Sequence, residues 1–113
     1  MKKNSADFLK ERQRLNEQLL AEGGLVTKRF FNLDEKAYQS GELSSKQKEL
    51  LGLVASLVLR CDDCVSYHLI RCSQEAVTTA ELLETLEIGL IAGGSIVIPH
   101  YRRALDFWLS SFE

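Results

Sequence analysis

Apolar residues recur along this chain at the spacing of helices, and no stretch alternates apolar and polar positions for long enough to predict a strand. Glycine-containing pairs interrupt the pattern at Gly23-Gly24, Ser40-Gly41 and Gly93-Gly94, and each marks the end of an apolar stripe. The pattern therefore predicts one all-α domain, residues 1–113, with six helices. We expect them at about residues 5–22, 26–38, 44–59, 62–75, 78–93 and 95–112.

The second and third helices carry the strongest burial signals. In the second, Val26, Phe30, Leu33 and Ala37 have the spacing of one buried stripe. Residues 50–59 are apolar on nearly every face, which predicts a central helix that is buried all round. Because a chain of this length buries only about two-thirds of its extended surface, part of the cover is expected to come from another copy.

Composition and charge exclude several classes of function. The chain has 45% hydrophobic and 27% charged residues, as an ordinary globular domain does, and its formal net charge of -2 argues against a nucleic-acid partner. The basic N-terminus has no apolar segment behind it. The longest apolar run, about ten residues, is shorter than the roughly 18 that suggest a membrane span. We therefore expect a cytoplasmic protein with no membrane partner.

The candidate chemistry follows directly after the apolar third helix. Cys61 and Cys64 form a CxxC motif, and His68 lies one helical turn after the second cysteine. In a chain without a secretion signal this pattern is typical of redox or metal chemistry. A helix N-terminus and a charged imidazole would each lower a thiol pKa, whereas the carboxylates of Asp62 and Asp63 would raise it. The motif alone leaves open which effect is larger.

Glu49 and Cys72 lie outside this motif. Glu49 precedes Cys61 by twelve residues, about 18 Å of helix rise, so it reaches the thiols only if two helices fold back or a neighbouring subunit brings it near. There its carboxylate would orient the imidazole of His68 and pass on a proton. From spacing alone, a solvent-exposed helix residue is the simpler interpretation. Cys72 is expected to be a small buried hydrophobic residue.

The spacing of Glu49, Cys61, Cys64 and His68, with an apolar helix before it and a glycine pair and closing helix after it, resembles one known family. It is similar to the alkylhydroperoxidase D-like members of the carboxymuconolactone decarboxylase family over roughly residues 43–109. The resemblance implies an all-helical domain that assembles into trimers or hexamers and reduces peroxides with the cysteine pair. It also implies that Glu49 belongs to the site.

The resemblance further implies a role for each residue. Cys64 is the peroxidatic thiol that becomes a sulfenic acid, and Cys61 is the resolving thiol that closes a Cys61–Cys64 disulfide. An external dithiol, on a lipoyl or thioredoxin-like protein, then reduces the disulfide. Glu49 and His68 form the proton relay, and no cofactor or metal is implied. This chain departs from the better-studied members at Asp63, where they carry a histidine. Because an acid replaces a base there, the resemblance does not fix the strength of thiol activation or the identity of the reductant.

Zinc binding is one alternative. Such a site would take its ligands from Cys61, Cys64, His68 and Glu49 or a water. Against it, the chain has no second Cys/His pair, and ligands in one helical column are poorly placed around a tetrahedral ion.

Two further interpretations do not use a metal. Lactone decarboxylation, which names the wider family, needs a proton donor and groups that bind a carboxylate. The residues available for it on the last helix are His100, Arg102 and Arg103, for which a solvated helix face is the simpler interpretation. The other is a non-enzymatic helical oligomer whose thiols serve only as a redox sensor.

Overall fold

The computed structural model describes residues 3–113, and these form α-helices and one 3₁₀ turn, without a strand. The elements within that range are α1 (Lys3–Glu22), α2 (Leu25–Ala37), α3 (Ser45–Val58), α4 (Asp62–Gln74), α5 (Thr79–Gly93), the 3₁₀ turn (Ser95–Val97) and α6 (Ile98–Phe112). The prediction of an all-α fold with six helices is confirmed. The largest difference in bounds is at the last helix, where the 3₁₀ turn occupies the start that was expected to be α-helical. Among the described residues, no helix is both long and apolar enough to cross a membrane.

Local signals in the sequence set the starts of α3 and α5. The Ser44 hydroxyl accepts from the backbone N–H of Gln47, and the Gln47 side chain accepts from the backbone N–H of Ser44. Thr78 and Glu81 make the same reciprocal pair before α5. Each capping box satisfies two backbone donors that a helix start otherwise leaves open, so both predicted helix starts are confirmed.

The core lies where α3 packs on α4 and α5, with α6 crossing α4 and α1. Its members are fully or nearly fully buried apolar side chains contributed by all four of the later helices and the turns between them. They include Leu53, Leu57, Val65, Leu69, Leu82, Leu86, Val97, Ala104 and Trp108. Burial of this apolar surface fixes α4 against α3. That packing places Glu49, near the start of α3, beside His68 in the middle of α4.

One burial prediction, that for α2, is wrong for the single chain, whereas full burial of α3, for which part of the cover was expected from another copy, stays a prediction. None of the residues of α2 is buried, and Val26, Phe30 and Leu33 of its expected buried stripe are 83%, 68% and 65% exposed. The central helix α3 is buried on one face only, since Leu51 is 55% exposed. Periodicity correctly identified an apolar face on each helix, but the rest of this chain does not cover those faces.

The connection between α3 and α4 is a tight helix end with a left-handed residue. Arg60 has φ +60°; its N–H donates to the carbonyl of Leu57, and the N–H of Cys61 donates to the carbonyl of Ser56, both at 3.0 Å. This pair of bonds is the Schellman arrangement, in which glycine is the usual left-handed residue. A side chain there costs about 1 kcal/mol. The turn reverses the chain and places Cys61 directly before the first turn of α4.

Candidate dithiol site

Cys61 and Cys64 are joined by a disulfide at the N-terminus of α4. Cys61 is the N-cap residue, and its sulfur accepts a hydrogen bond of 3.2 Å from the backbone N–H of Cys64. Cys61 is half-buried and Cys64 is exposed, so external molecules can reach the second sulfur. The positive end of the helix dipole lies at the motif, and it favours a thiolate there when the bond is reduced.

Glu49 and His68 form a buried pair one helical turn beyond Cys64. Glu49 is 2% exposed, and its Oε1 lies 2.8 Å from Nδ1 of His68, which is 8% exposed. Arg71, one turn further along α4, places its Nε 3.4 Å from the other carboxylate oxygen. The buried negative charge therefore has cationic and hydrogen-bonding partners, without which it would be costly. α3 and α4 do fold back on each other as the participation of Glu49 requires.

The carboxylate of Glu49 selects the tautomer of His68. A carboxylate can only accept a hydrogen bond, so the Nδ1 that faces it carries the hydrogen. In the neutral imidazole, Nε2 is then left with a lone pair that can take up a proton. A group in this state can act as a general base toward a thiol one turn away.

Tyr38 was not predicted from the sequence, and it completes the surroundings of His68. Its hydroxyl oxygen lies 3.5 Å from Nε2, and the two ring centroids are 5.3 Å apart. Burial, together with the negative charge of Glu49, raises the pKa of Tyr38, so the phenol stays protonated. Gly52 makes this contact possible, because a Cβ there would collide with the Tyr38 hydroxyl and lie 2.7 Å from Cε1 of His68. A glycine inside the apolar third helix was the available signal, since it often marks a close approach.

Asp62, the first residue of α4, is held by two side chains of α6. Its carboxylate oxygens lie 2.7 Å from Nδ1 of His100 and 2.9 Å from Nε of Arg103. Partial burial raises the pKa of Asp62, but the hydrogen bonds and charges of these two partners outweigh it and leave the pKa lowered. His100 and Arg103, which were considered for lactone decarboxylation, thus bind the carboxylate of Asp62 and are not simply part of a solvated helix face. Asp63 is exposed, so water screens its effect on the thiols.

A cavity of about 710 Å³ opens on the Glu49 side of the Glu49–His68 pair. Its walls come from α1, α2, α3 and α4 and include both tyrosines beside His68. The guanidinium of Arg12 lies 3.7 Å above the ring of Tyr67, which makes a cation–π contact in this wall. The lining includes Arg12, Asn16, Lys28, Asp34, Tyr38, Glu49, Tyr67 and Arg71. Glu49 is thus the member of the buried pair that lines this polar cavity.

Cys72 is buried and free, as its predicted role as a small core residue requires. Burial, with the nearby charge of Glu49, raises the pKa of the Cys72 thiol to about 12. A thiol in this state is protonated at neutral pH and neither attacks nor is readily oxidised.

Cys72 is expected to weaken the fold in alkali. The unfolded thiol ionises near its ordinary value of 9.0, whereas the folded thiol does so only near 12, so stability is lost as pH rises between these values. Relative to Cys72→Ala, we expect the oxidised wild-type chain to lose about 2 kcal/mol of unfolding free energy between pH 9 and about 10.5. Urea denaturation at several pH values measures this. The core truncation Val77→Ala is the control, because it removes no titrating group and its difference from wild type should not change with pH.

In the described part of the chain, no three His, Cys, Asp or Glu side chains are grouped so that they could hold a metal ion. Cys61 and Cys64 lie at the start of α4, whereas Glu49 lies against His68 one turn further on. The zinc interpretation requires at least Cys61, Cys64 and His68 to converge, and no such grouping is present among the described residues.

The structure thus places the four residues singled out in the sequence in two pairs, one at the start of α4 and the other between α3 and α4. One pair is the Cys61–Cys64 disulfide, and the other is the Glu49–His68 hydrogen bond. Their catalytic roles stay predictions.

Comparison with known families finds a match over most of the chain. The family model described as carboxymuconolactone decarboxylase family matches residues 24–107. An uncharacterized protein of Cupriavidus necator, H16_B0147, is 29% identical over 79 residues, which cover 70% of each chain.

Solved structures have the same fold. The protein TM1620 of Thermotoga maritima is 57% identical and superposes with a TM-score of 0.90 over 91% of this chain and 90% of its own. A second crystal structure of TM1620 is 56% identical and superposes with a TM-score of 0.88 over 91% of this chain and 87% of its own. That structure is described as a carboxymuconolactone decarboxylase family protein that is a candidate for a role in antioxidative response. The family protein lpg0406 of Legionella pneumophila, in its apo form, is 22% identical with a TM-score of 0.88 over 99% of this chain and 100% of its own, a similarity of fold alone.

Proposed function

Because the chain belongs to the carboxymuconolactone decarboxylase family, we propose that it is a thiol-dependent peroxidase that reduces small organic hydroperoxides through a Cys61/Cys64 dithiol–disulfide cycle. The observation that carries the proposal is the disulfide at the N-terminus of α4, with His68 one turn further along that helix and hydrogen-bonded to the buried Glu49 of α3. The described candidate role of the Thermotoga maritima relative in antioxidative response supports it.

In the first step, Nε2 of His68 takes the proton of the Cys64 thiol. The thiolate attacks a peroxide oxygen, so that a sulfur–oxygen bond forms and the oxygen–oxygen bond breaks. The departing alkoxide takes the proton back from His68 and leaves as an alcohol. Glu49 holds the imidazole in place and stabilises its charge between the two transfers.

In the second step, the Cys61 sulfur attacks the sulfenic acid of Cys64. A disulfide forms, the sulfur–oxygen bond breaks, and water leaves. An external dithiol, on a lipoyl or thioredoxin-like protein, then reduces the bond by two thiol–disulfide exchanges; the dithiol is oxidised, and its two protons pass to Cys61 and Cys64. A cycle of this kind fits the cytoplasm, where such reductants keep thiols reduced.

The lactone decarboxylation that names the family has less support in this chain. It needs groups free to bind a substrate carboxylate, whereas His100 and Arg103 bind the carboxylate of Asp62. A thiol pair has no part in that reaction, so a lyase would leave the Cys61–Cys64 motif without a use.

Thiol titration against hydroperoxide tests the proposed function. One equivalent of cumene hydroperoxide should remove two of the three thiols of the reduced protein, and dihydrolipoamide should restore both. With excess reductant the protein should consume hydroperoxide continuously. Loss of the two thiols without turnover would leave a sensor rather than an enzyme, and thiols that persist would contradict both.

We also propose that copies of this chain assemble into trimers or hexamers. Large apolar residues of α2, α3 and α5 stay exposed in the single chain, among them Leu25, Val26, Phe30, Leu33, Leu51, Ile88 and Ile91. Apolar surface on this scale is characteristic of faces that pack against other subunits.

Phe30→Asp is expected to dissociate this assembly. Phe30 is 68% exposed in the single chain, so a carboxylate there costs the fold little but would have to be buried at an interface. Light scattering coupled to gel filtration should show the mass of the wild type as a multiple of the chain mass and a smaller mass for the variant. Lys36→Asp, also on the exposed surface of α2, should leave the mass unchanged. A monomeric wild type would contradict the proposed assembly.

A further inference from the structure

Asp62 places a negative charge next to the two cysteines. It is the first residue of α4, bonded to Cys61 and two residues before Cys64. The helical backbone spacing and the lengths of the two side chains keep its carboxylate within roughly 12 Å of the Cys64 sulfur. A negative charge at that distance disfavours a thiolate, whereas the N-terminal end of the helix favours one. The charge of Asp62 therefore opposes the chemistry of the motif unless another group offsets it.

Two side chains of α6 bind this carboxylate. One oxygen lies 2.7 Å from Nδ1 of His100 and the other lies 2.9 Å from Nε of Arg103. Because a carboxylate only accepts hydrogen bonds, both nitrogens donate. Partial burial alone would raise the pKa of Asp62, but these bonds and charges leave it lowered, so the carboxylate is ionised at neutral pH. The guanidinium of Arg103 is always charged, so the two residues form an ion pair beside the motif.

We propose that Arg103 is a positioning residue of the dithiol site: with His100 it holds the carboxylate of Asp62 and offsets the charge that this residue places beside the cysteines. The inference rests on the proposed function only in taking Cys61 and Cys64 as the reactive thiols. An aspartate in the first turn suits the start of α4, because the helix dipole is positive there. The arginine of α6 lets the motif keep this aspartate without its full cost to a thiolate.

Other charged groups around the motif are the same in every variant of the test described below. They affect the absolute pH at which Cys64 ionises but contribute little to the differences between variants. Arg12 of α1 and Asp34 of α2 line a smaller cavity together with Asp63 of α4. The remaining groups on the neighbouring elements are Arg60 in the turn before the motif, Glu49 of α3, His68 of α4, and Arg102 and Asp106 of α6.

The rate at which iodoacetamide alkylates the reduced protein, measured against pH, tests this inference. At an ionic strength of about 0.01 M the Debye length, about 30 Å, exceeds the distances involved. All variants carry Cys61→Ser, which leaves Cys64 as the accessible thiol, since Cys72 is buried. Loss of the cation in Arg103→Gln should move the midpoint of the profile upward by roughly 0.3 to 0.6 of a pH unit. Loss of the carboxylate in Asp62→Asn should move it downward by a similar amount, and the double variant should lie between the two.

The opposite signs separate an electrostatic role from a merely structural one. Both single variants break the same ion pair, so a structural bridge would move the two midpoints in the same direction, and that result overturns the inference. An unchanged or lower midpoint in Arg103→Gln also overturns it. Arg103→Lys keeps the charge and should stay near the starting midpoint. A midpoint as high in Arg103→Lys as in Arg103→Gln would show that the charge is not what acts, and the inference would fail.

Two controls complete the test. His100→Gln, added to each variant, removes an imidazole that titrates in the same pH range, and the opposite signs should persist without it; their loss overturns the inference. The side chains of Arg103 and Asp62 are 57% and 47% exposed, so the substitutions should leave the fold intact, which thermal unfolding checks. Should Arg103→Gln not fold, Arg103→Met replaces it with the same expected shift. Because alkylation needs no hydroperoxide, the result is independent of whether the proposed peroxidase activity is found.

Discussion

Serine in place of Cys64 is expected to abolish hydroperoxide reduction, with a loss of at least about a thousandfold in the second-order rate constant. The hydroxyl of serine is not ionised by a neighbouring imidazole at neutral pH as a thiol is, and it cannot form a sulfenic acid. Cys64 is the exposed member of the pair, which is why the peroxide should meet it first. Consumption of cumene hydroperoxide with dihydrolipoamide as reductant measures the rate.

Cys61→Ser is the matched control, because it removes one thiol of the same disulfide but leaves the attacking one. This variant should still react once with hydroperoxide, then stop with a sulfenic acid on Cys64 that dimedone labels. Serine also replaces the Cys61 sulfur as N-cap of α4, where its hydroxyl is a good acceptor, so the helix start should be preserved. If instead Cys61→Ser loses the first turnover and Cys64→Ser keeps it, the two assigned roles are reversed.

The fold could be read from the sequence because its signals are local. The reciprocal caps at Ser44 and Thr78 require partners only three residues away, and the structure has both. The break before Cys61 was also visible, because apolar periodicity stops there. The conformation that ends the helix could not be predicted, because Arg60 takes the left-handed conformation that glycine usually takes at a helix end.

The site could be predicted only in part, because some of its residues are far apart in the sequence. His68 follows Cys64 on one helix, so their proximity follows from helical geometry. Glu49 is 19 residues from His68 and Tyr38 is 30, and such contacts depend on how helices pack. The family resemblance supplied Glu49, whereas nothing in the motif pointed to Tyr38. Gly52 was the one local mark of the space that Tyr38 fills.

The exposed apolar faces show a limit of predictions from apolar periodicity, which do not identify the chain that covers a face. A stripe such as Val26 and Phe30 indicates that a face must be covered but not by which chain. In the single chain α2 has no buried residue, so the cover predicted for it must come from elsewhere or be absent. The same helix ends at Tyr38. An assembly that covers α2 would therefore also steady the residue that contacts Nε2 of His68, which links the proposed oligomer to the proposed chemistry.

Glutamine in place of Glu49 is expected to reduce the rate of hydroperoxide reduction by about a hundredfold, within the range for a disrupted acid–base relay. The two side chains have nearly the same shape, so packing around position 49 should be kept. The amide loses the negative charge that stabilises charged His68. It can also present its NH₂ group to Nδ1, which would move the ring hydrogen to Nε2 and leave no lone pair for the Cys64 proton.

Stability should change much less than activity in Glu49→Gln. His68 can stay neutral, and Arg71 keeps a second carboxylate, since its Nη2 lies 3.4 Å from Oε2 of Glu75. Thermal unfolding should therefore show a cooperative transition in the variant as in the wild type. Glu75→Gln is the control: it removes the same charge from the same arginine but is no hydrogen-bond partner of His68, and it should keep the rate within about threefold of the wild type. A folded Glu49→Gln protein that also stays within threefold would exclude Glu49 from the relay, and the buried pair would then be a structural contact only.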